Sequence, residues 1–297
     1  MSVPAESQDM PELEAAPRAR ANPSLLSIAM RHPSILIGGI LLILMILIAI
    51  VGPLFTVDPV SISPVKRLRP PSPDSWFGTD KLGRDTFSRV ISGARISLIV
   101  GLAVSFIAVT IGLFVGLIAG YIRALEAVIM RVMDGLMAIP AILLAIAMIS
   151  LAGATLTTVV LAIVIPEIPR VVRLVRSVVL TVREEPYVEA AIASGTRLHL
   201  ILWRHILPNT IAPMIVQATY ICGSAMLTEA ILGFLGAGIP PEIPSWGNIM
   251  SEGRDLFRLA PWIIFYPGIA LALTVLSVNI LGDGLRDTLD PRIARKM

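Results

Sequence analysis

Glu189-Ala190-Ala191-Ile192-Ala193-Ser194-Gly195 and, ten residues later, Ile206-Leu207-Pro208-Asn209 form a polar, helix-forming interruption between long apolar runs. Pro186 suits the first turn of a helix, where its missing N–H would be unpaired anyway, and Glu184 and Glu185 complement the positive end of the helix dipole. A helix is predicted over Pro186–Ser194, with Gly195 supplying the left-handed residue that ends it. A helix of about nine residues is marginal alone in water, so its stability must come from packing. Ala190, Ala191, Ala193 and Gly195 give it a surface that another protein can approach closely, beside the single carboxylate of Glu189. Thr196 is expected to cap a second short helix running through His205, and Pro208 with Asn209 is expected to end it at the next apolar run. The chemistry is that of a docking surface held outside a bilayer, not of a catalytic site.

The flanking sequence is what makes this elbow an interruption. Of the 297 residues, 55% are hydrophobic and 15% charged, with a mean hydropathy of +0.82, which excludes a soluble globule. Ile35–Phe55 carries no charge and spans roughly 31 Å as a helix, the thickness of a bilayer core. Six such segments can be read: Ile35–Phe55, Ile96–Ala119, Val128–Leu151, Leu156–Val175, Ala212–Leu235 and Trp262–Leu281. The predicted fold is all-α, an integral membrane bundle of six transmembrane helices with a cytoplasmic coupling helix. In the fourth segment Pro166 and Pro169 predict a kink, and Arg170, Arg173 and Arg176 are expected to snorkel into the headgroups.

Placing both termini in the cytoplasm puts fifteen of the 24 basic residues on that side, the direction that the positive-inside rule favours. Residues 1–34 then read as a cytoplasmic tail without a secretory signal, 35–285 as the transmembrane domain with the elbow at about 183–209, and 286–297 as a second cytoplasmic tail. Of the two external loops, the first opens with a proline-rich stretch, Pro59–Pro73, that should be extended. It continues through Gly78, Asp80, Gly83, Arg84 and Asp85, where the glycines supply turns and Asp85 can cap the helix entering the second span. The second loop, Gly236–Pro261, is expected to be irregular and contains Trp246 and Gly247. Both suit a structural lid or collar over an external mouth.

Polar groups inside the spans are functional candidates because they are expensive there. Glu229 has no local cation and can face a solute path or another helix; Asn279 suits an interhelical hydrogen bond. Glu167 lies three residues before Arg170, and Asp134 lies near Arg131, so both suit ion pairing. Gly112, Gly116 and Gly120, four residues apart, allow close helix packing. Cys222 sits in an apolar run as a buried thiol, no histidine stands at metal-ligand spacing, and no stacking aromatics interleave the basic residues, so neither a metal nor a nucleic acid is expected. No phosphate-binding Gly-x-x-x-x-Gly-Lys-Ser/Thr loop is present. An ion-coupled secondary transporter would need a midplane relay or inverted halves, and an intramembrane enzyme would need a catalytic motif; neither set of features is found.

The pattern Glu189-Ala190-Ala191, three residues, Gly195, nine residues, then two before Leu207-Pro208 resembles the signature of the permeases of binding-protein-dependent ABC importers. The resemblance implies that Pro186, Tyr187, Glu189, Ala190, Ala191, Gly195, His205, Leu207 and Pro208 belong to a coupling segment seated in a cleft of a cytoplasmic ATPase. His205 stands where the general signature has an apolar residue. Phe77-Gly78-Thr79-Asp80, Gly83-Arg84-Asp85, Gly93-Ala94-Arg95-Ile96-Ser97-Leu98, Phe234-Leu235-Gly236, Pro244-Ser245-Trp246-Gly247-Asn248 and Leu281-Gly282-Asp283-Gly284-Leu285-Arg286-Asp287 are similar to the second permease subunit of the dipeptide, oligopeptide and nickel branch. The likeness runs from His32 to Arg292 and departs from the family at Ile165–Arg170, with its two prolines and a carboxylate. It implies a second homologous permease, two cytoplasmic ABC ATPases and an extracytoplasmic substrate-binding protein as partners, no cofactor, and a place in the bacterial inner membrane. Di- or oligopeptides are the implied solutes; nickel complexes and opines are carried by similar permeases.

Overall fold

The computed structural model describes residues 32–289, which contain helices and turns and no sheet. The tail assigned to residues 1–34 lies almost wholly outside the described residues, as does most of 286–297. The helices are α1 (Pro33–Val51), α2 (Thr86–Tyr121), α3 (Arg123–Ala138), α4 (Ala141–Ala152), α5 (Leu156–Arg183), α6 (Pro186–Ala193), α7 (Leu198–Ile201), α8 (Leu207–Phe234), α9 (Trp246–Gly253) and α10 (Trp262–Leu289).

By length and apolarity alone, four stretches can cross a bilayer: Pro33–Phe55, α2, Leu198–Phe234 and α10. The predicted third span is not one rod. Its two halves, α3 and α4, meet at 86° across Ile139-Pro140. Pro140 pushes its predecessor out of the helical region, and Ile139 is accordingly extended, with φ −91° and ψ 127°. Helix α5 is long enough to cross, but Glu167, Arg170, Arg173 and Arg176 dilute its apolarity. It keeps helical backbone through both Pro166 and Pro169 where a kink is expected.

Register supplies the remaining passes. Gly112, Gly116 and Gly120 of α2 lie against Val171, Val175 and Val179 of α5, all three valines fully buried. A Cβ at Gly116 or Gly120 would come within 2.6 Å of the facing valine Cβ, so the two backbones touch as closely as side chains allow. Because the partner numbers rise together, α2 and α5 are parallel, and the intervening α3–α4 pair must carry the chain back across. Helix α8 is antiparallel to α2: the Ser97 hydroxyl donates to Glu229 at 3.2 Å and the Ser105 hydroxyl to the Ala218 carbonyl at 2.7 Å. Gly223 lies under Asn279 and Gly282 against Thr219, so α10 is antiparallel to α8; Gly38 against Leu281 and Gly284 against Ile35 do the same for α1. Six passes result.

The arginines of α5 do not reach for headgroups alone. Arg170 pairs with Glu167 at 2.8 Å as its spacing predicts, Arg173 with Asp134 of α3 at 2.6 Å, and Arg176 with Glu126 of α3. Asp134 therefore takes its cation from another helix and not from Arg131. The Pro59–Pro73 stretch is not simply extended either. It contains a 3-10 turn at Pro64–Lys66 and a left-handed Leu68, because the Ser63 and Leu68 N–H groups bond to the Leu82 and Asp80 carbonyls and fold the run back on itself.

Candidate functional site

The elbow is built as its residues dictate up to Thr196 and differently beyond. Helix α6 begins at Pro186 and is closed by Gly195 at φ +76°, where the Thr196 N–H bonds to the Ala191 carbonyl (3.1 Å) and the Gly195 N–H to that of Ile192 (2.9 Å). This is a Schellman closure, and only glycine adopts that φ without strain. Nothing stands within 4 Å of where a Gly195 Cβ would be, so the requirement is one of backbone and not of space. Val188 alone of α6 is buried, while Tyr187, Glu189, Ala190, Ile192 and Ala193 are exposed and Ala191 is half-buried. The helix is pinned by one apolar contact and presents the rest of its surface outward.

Thr196 does not cap the next helix, because α7 starts one residue too late for it, from an extended Arg197 without a side-chain cap. Nor does Pro208 end a helix. A π-helical turn, Leu202–Ile206, joins α7 to α8, with the Leu207 N–H reaching the Leu202 carbonyl, and Pro208 falls in the first turn of α8, where its missing donor costs little. Asn209 fastens this joint. Its Nδ2 donates to the His205 carbonyl at 2.6 Å and to the Tyr187 hydroxyl at 3.2 Å, and the Tyr187 and His205 rings lie 6.1 Å apart. The structure thus brings together Tyr187, His205 and the Leu207-Pro208 start of α8, with Asn209, which sequence reasoning reads only as helping to end a helix, as the fastener.

On the opposite face Asp80 and Arg84 are buried in a four-charge cluster. Asp80 accepts from Arg84 Nε and from Arg89 Nη1, both at 2.6 Å; Arg84 also pairs with Glu252, and Arg89 holds Glu252 through two bonds of 2.8 and 3.0 Å. Asp85 caps α2, accepting from the Ser88 N–H at 2.8 Å. Gly78 and Gly83 are left-handed; a Cβ on Gly78 would lie 2.8 Å from the Trp262 indole nitrogen, which donates to the Thr79 carbonyl at 3.1 Å. The second loop is less irregular than expected, because Ser245 and Asn248 form a capping box that starts α9. Trp246 is fully buried and donates to the Val90 carbonyl at 3.0 Å, and Gly247 rests on the backbone of Ala230 in α8. Arg89 and Glu252 are the members of this joint that the sequence does not single out.

Of the intramembrane candidates, Glu229 is fully buried and accepts from the Ser97 hydroxyl of α2 at 3.2 Å, while its other carboxylate oxygen has no hydrogen-bond partner among the described residues. Glu167 is buried in its pair with Arg170. Asn279 is exposed on α10, and among the described residues it forms no interhelical hydrogen bond.

The family of binding-protein-dependent transport system inner membrane components matches residues 108–295. A Sinorhizobium fredii protein named a probable peptide ABC transporter permease is 56% identical over 281 residues, covering 95% of this chain and 96% of that one. A dipeptide transport system permease of Alkalihalophilus pseudofirmus is 45% identical over 260 residues, covering 87% and 86%. Among solved structures, a chain of the inward-facing methionine ABC transporter MetNI superposes with a TM-score of 0.58 at 20% identity, over 69% of this chain and 97% of that one.

Proposed function

The chain belongs to the family of binding-protein-dependent transport system inner membrane components, and from that premise we propose that it forms one half of the path of an ATP-driven importer of di- or oligopeptides. The peptide class follows from the names of its relatives of 45% and 56% identity. Its partners are a second homologous permease, two cytoplasmic ABC ATPases that hydrolyse the ATP, and an extracytoplasmic binding protein that delivers the solute. Residues 35–285 form the permease domain in the bacterial inner membrane, with the flanking tails and α6 in the cytoplasm.

The observation that carries this reading is the mounting of α6. A short helix with one buried side chain and an exposed Glu189-Ala190 face is joined through the Tyr187–Asn209–His205 contacts to the base of α8. Force applied to that face is delivered to α8 and to the helices packed on it, so the chain needs no chemistry of its own. The test is a cross-link and a coupling assay in the complete complex. Ala193→Cys is expected to form a disulfide with a cysteine in the ATPase, and Glu189→Ala to leave ATP hydrolysis running while uptake falls by an order of magnitude or about that, as loss of a central interface contact does. Full uptake in Glu189→Ala together with no cross-link from Ala193→Cys would remove the docking assignment.

A further inference from the structure

A crevice runs along α8 and α10 from Pro208 and Leu289 up to Tyr220 and Asn279. Its lower part encloses about 660 Å³ and its upper part about 410 Å³, and the two share Val216, Gln217 and Arg286, so they are one groove. At 1.5 Å per residue Gln217 stands roughly 15 Å above the start of α8, and Asn279, level with Gly223, roughly 24 Å, so both lie within the segments read as crossing the bilayer. Elsewhere the outward faces of these helices are apolar, as at Ile211, Ile215, Leu273 and Leu276. In the crevice they are not. Asn279 is exposed, with Gly223 beneath it placing no side chain in the way, and Gln217 is half-exposed on α8 about 9 Å nearer the start of that helix. Carboxamides at this depth cannot face lipid without leaving donors and acceptors unmatched. Along the groove between Asn279 and Leu289, Asp283 and Arg286, three residues apart on one face of α10, are both exposed.

We propose, resting on the import reading above, that this crevice is a cytoplasm-facing wall of the solute path and that Gln217 and Asn279 bind the backbone amides of a short peptide, with Asp283 and Arg286 receiving its charged termini. A carboxamide offers a donor and an acceptor together and so matches a peptide group whatever side chain is attached. Two of them in a groove whose volume is that of small-molecule sites give recognition of the peptide backbone without selection of its sequence. The two charges along the groove, of opposite sign, match a zwitterion.

The test uses the complete complex in inside-out vesicles, with Cys222→Ala as background and Gln217→Cys, Asn279→Cys, Leu276→Cys and Asp287→Cys, an exposed position outside both the groove and the docking segment, introduced singly. The probe is a membrane-impermeant cationic methanethiosulfonate, with and without trialanine. Gln217→Cys and Asn279→Cys are expected to react at least about ten times faster than the lipid-facing Leu276→Cys, since the thiolate that reacts forms in water and not in an apolar setting. Trialanine is expected to slow both. Unreactive cysteines at 217 and 279 beside a reactive Asp287→Cys would mean that lipid or the second permease covers the crevice, and reaction that trialanine leaves unchanged would mean a wet groove that does not hold peptide; either result overturns the proposal. An Asp287→Cys that fails to react from this side would count against the cytoplasmic placement of that end of α10 instead, so the two readings fail separately.

Discussion

Gly195 is the residue at which a single side chain can be separated from its surroundings. Its φ of +76° has open space around it, so substitution costs backbone energy alone. An L residue held in the left-handed region costs about 1–2 kcal/mol, and a β-branched one lies at the upper end because it is rarely accommodated there at all. That is enough to loosen the closure of an eight-residue helix held by one buried valine. Gly195→Ala is expected to reduce uptake per ATP hydrolysed and Gly195→Val to reduce it further, with both variants still inserted and assembled. Uptake and hydrolysis measured side by side in proteoliposomes check this, and an equal or reversed order for the two variants would point to contact with the ATPase, not backbone conformation, as what glycine provides.

At the scale of elements, the joint on the face opposite α6 locks the first loop, the start of α2 and α9 by charge. Asp80, Arg84 and Arg89 are each at most 5% exposed and the cluster is electrically balanced, two carboxylates against two guanidinium groups. Removing one member of a buried pair costs about 3–5 kcal/mol because its partner is left uncompensated, whereas losing a helix cap costs about 1 kcal/mol. Glu252→Ala is therefore expected to lower the melting temperature of the detergent-solubilised complex several times more than Asp85→Ala. Arg89→Met with Glu252→Leu, which leaves Asp80 and Arg84 paired, should recover most of the loss; equal shifts for Glu252→Ala and Asp85→Ala would mean that the cluster is not buried in the assembled protein. Little of this joint is legible beforehand. Gly78, Gly83 and Asp85 announce turns and a cap locally, but Arg89 and Glu252 are 163 residues apart, and the nearest local partner for Arg89 is Asp85, which instead caps the helix. The α2–α5 contact is half legible: the four-residue glycine spacing fixes which face of α2 packs closely, but in so apolar a chain many valine rows could fill that groove. The elbow reads well as far as Gly195, because proline, carboxylates and glycine act within one turn. Past it, tertiary packing of Ile201 and Ile206 carries the chain through Pro208 by way of a π-helical turn, overriding the stop that the proline suggests.

For the molecule as a whole the question is how many times the chain crosses, and the bent α3–α4 pair decides it. Each half is short, at 16 and 12 residues, and the two meet at 86°, so neither is a span by length. The parallel seating of α2 on α5, with a constant offset of 59 residues, nevertheless requires that the start of α5 at Leu156 lie level with Ser97, where the apolar part of α2 begins, and the charge cluster ties that same end of α2 to α9. Position 154, in the exposed turn between α4 and α5, must then share a side with the first loop and lie opposite α6. Ala154→Cys and Ser61→Cys are expected to react with an impermeant maleimide added outside intact cells, while Ser194→Cys reacts only in inside-out vesicles. The buried Cys222 gives a low background in both. If Ala154→Cys instead labelled together with Ser194→Cys, the α3–α4 pair would be a re-entrant hairpin, α5 could not run parallel to α2 across the bilayer, and the six-pass bundle would fall with it.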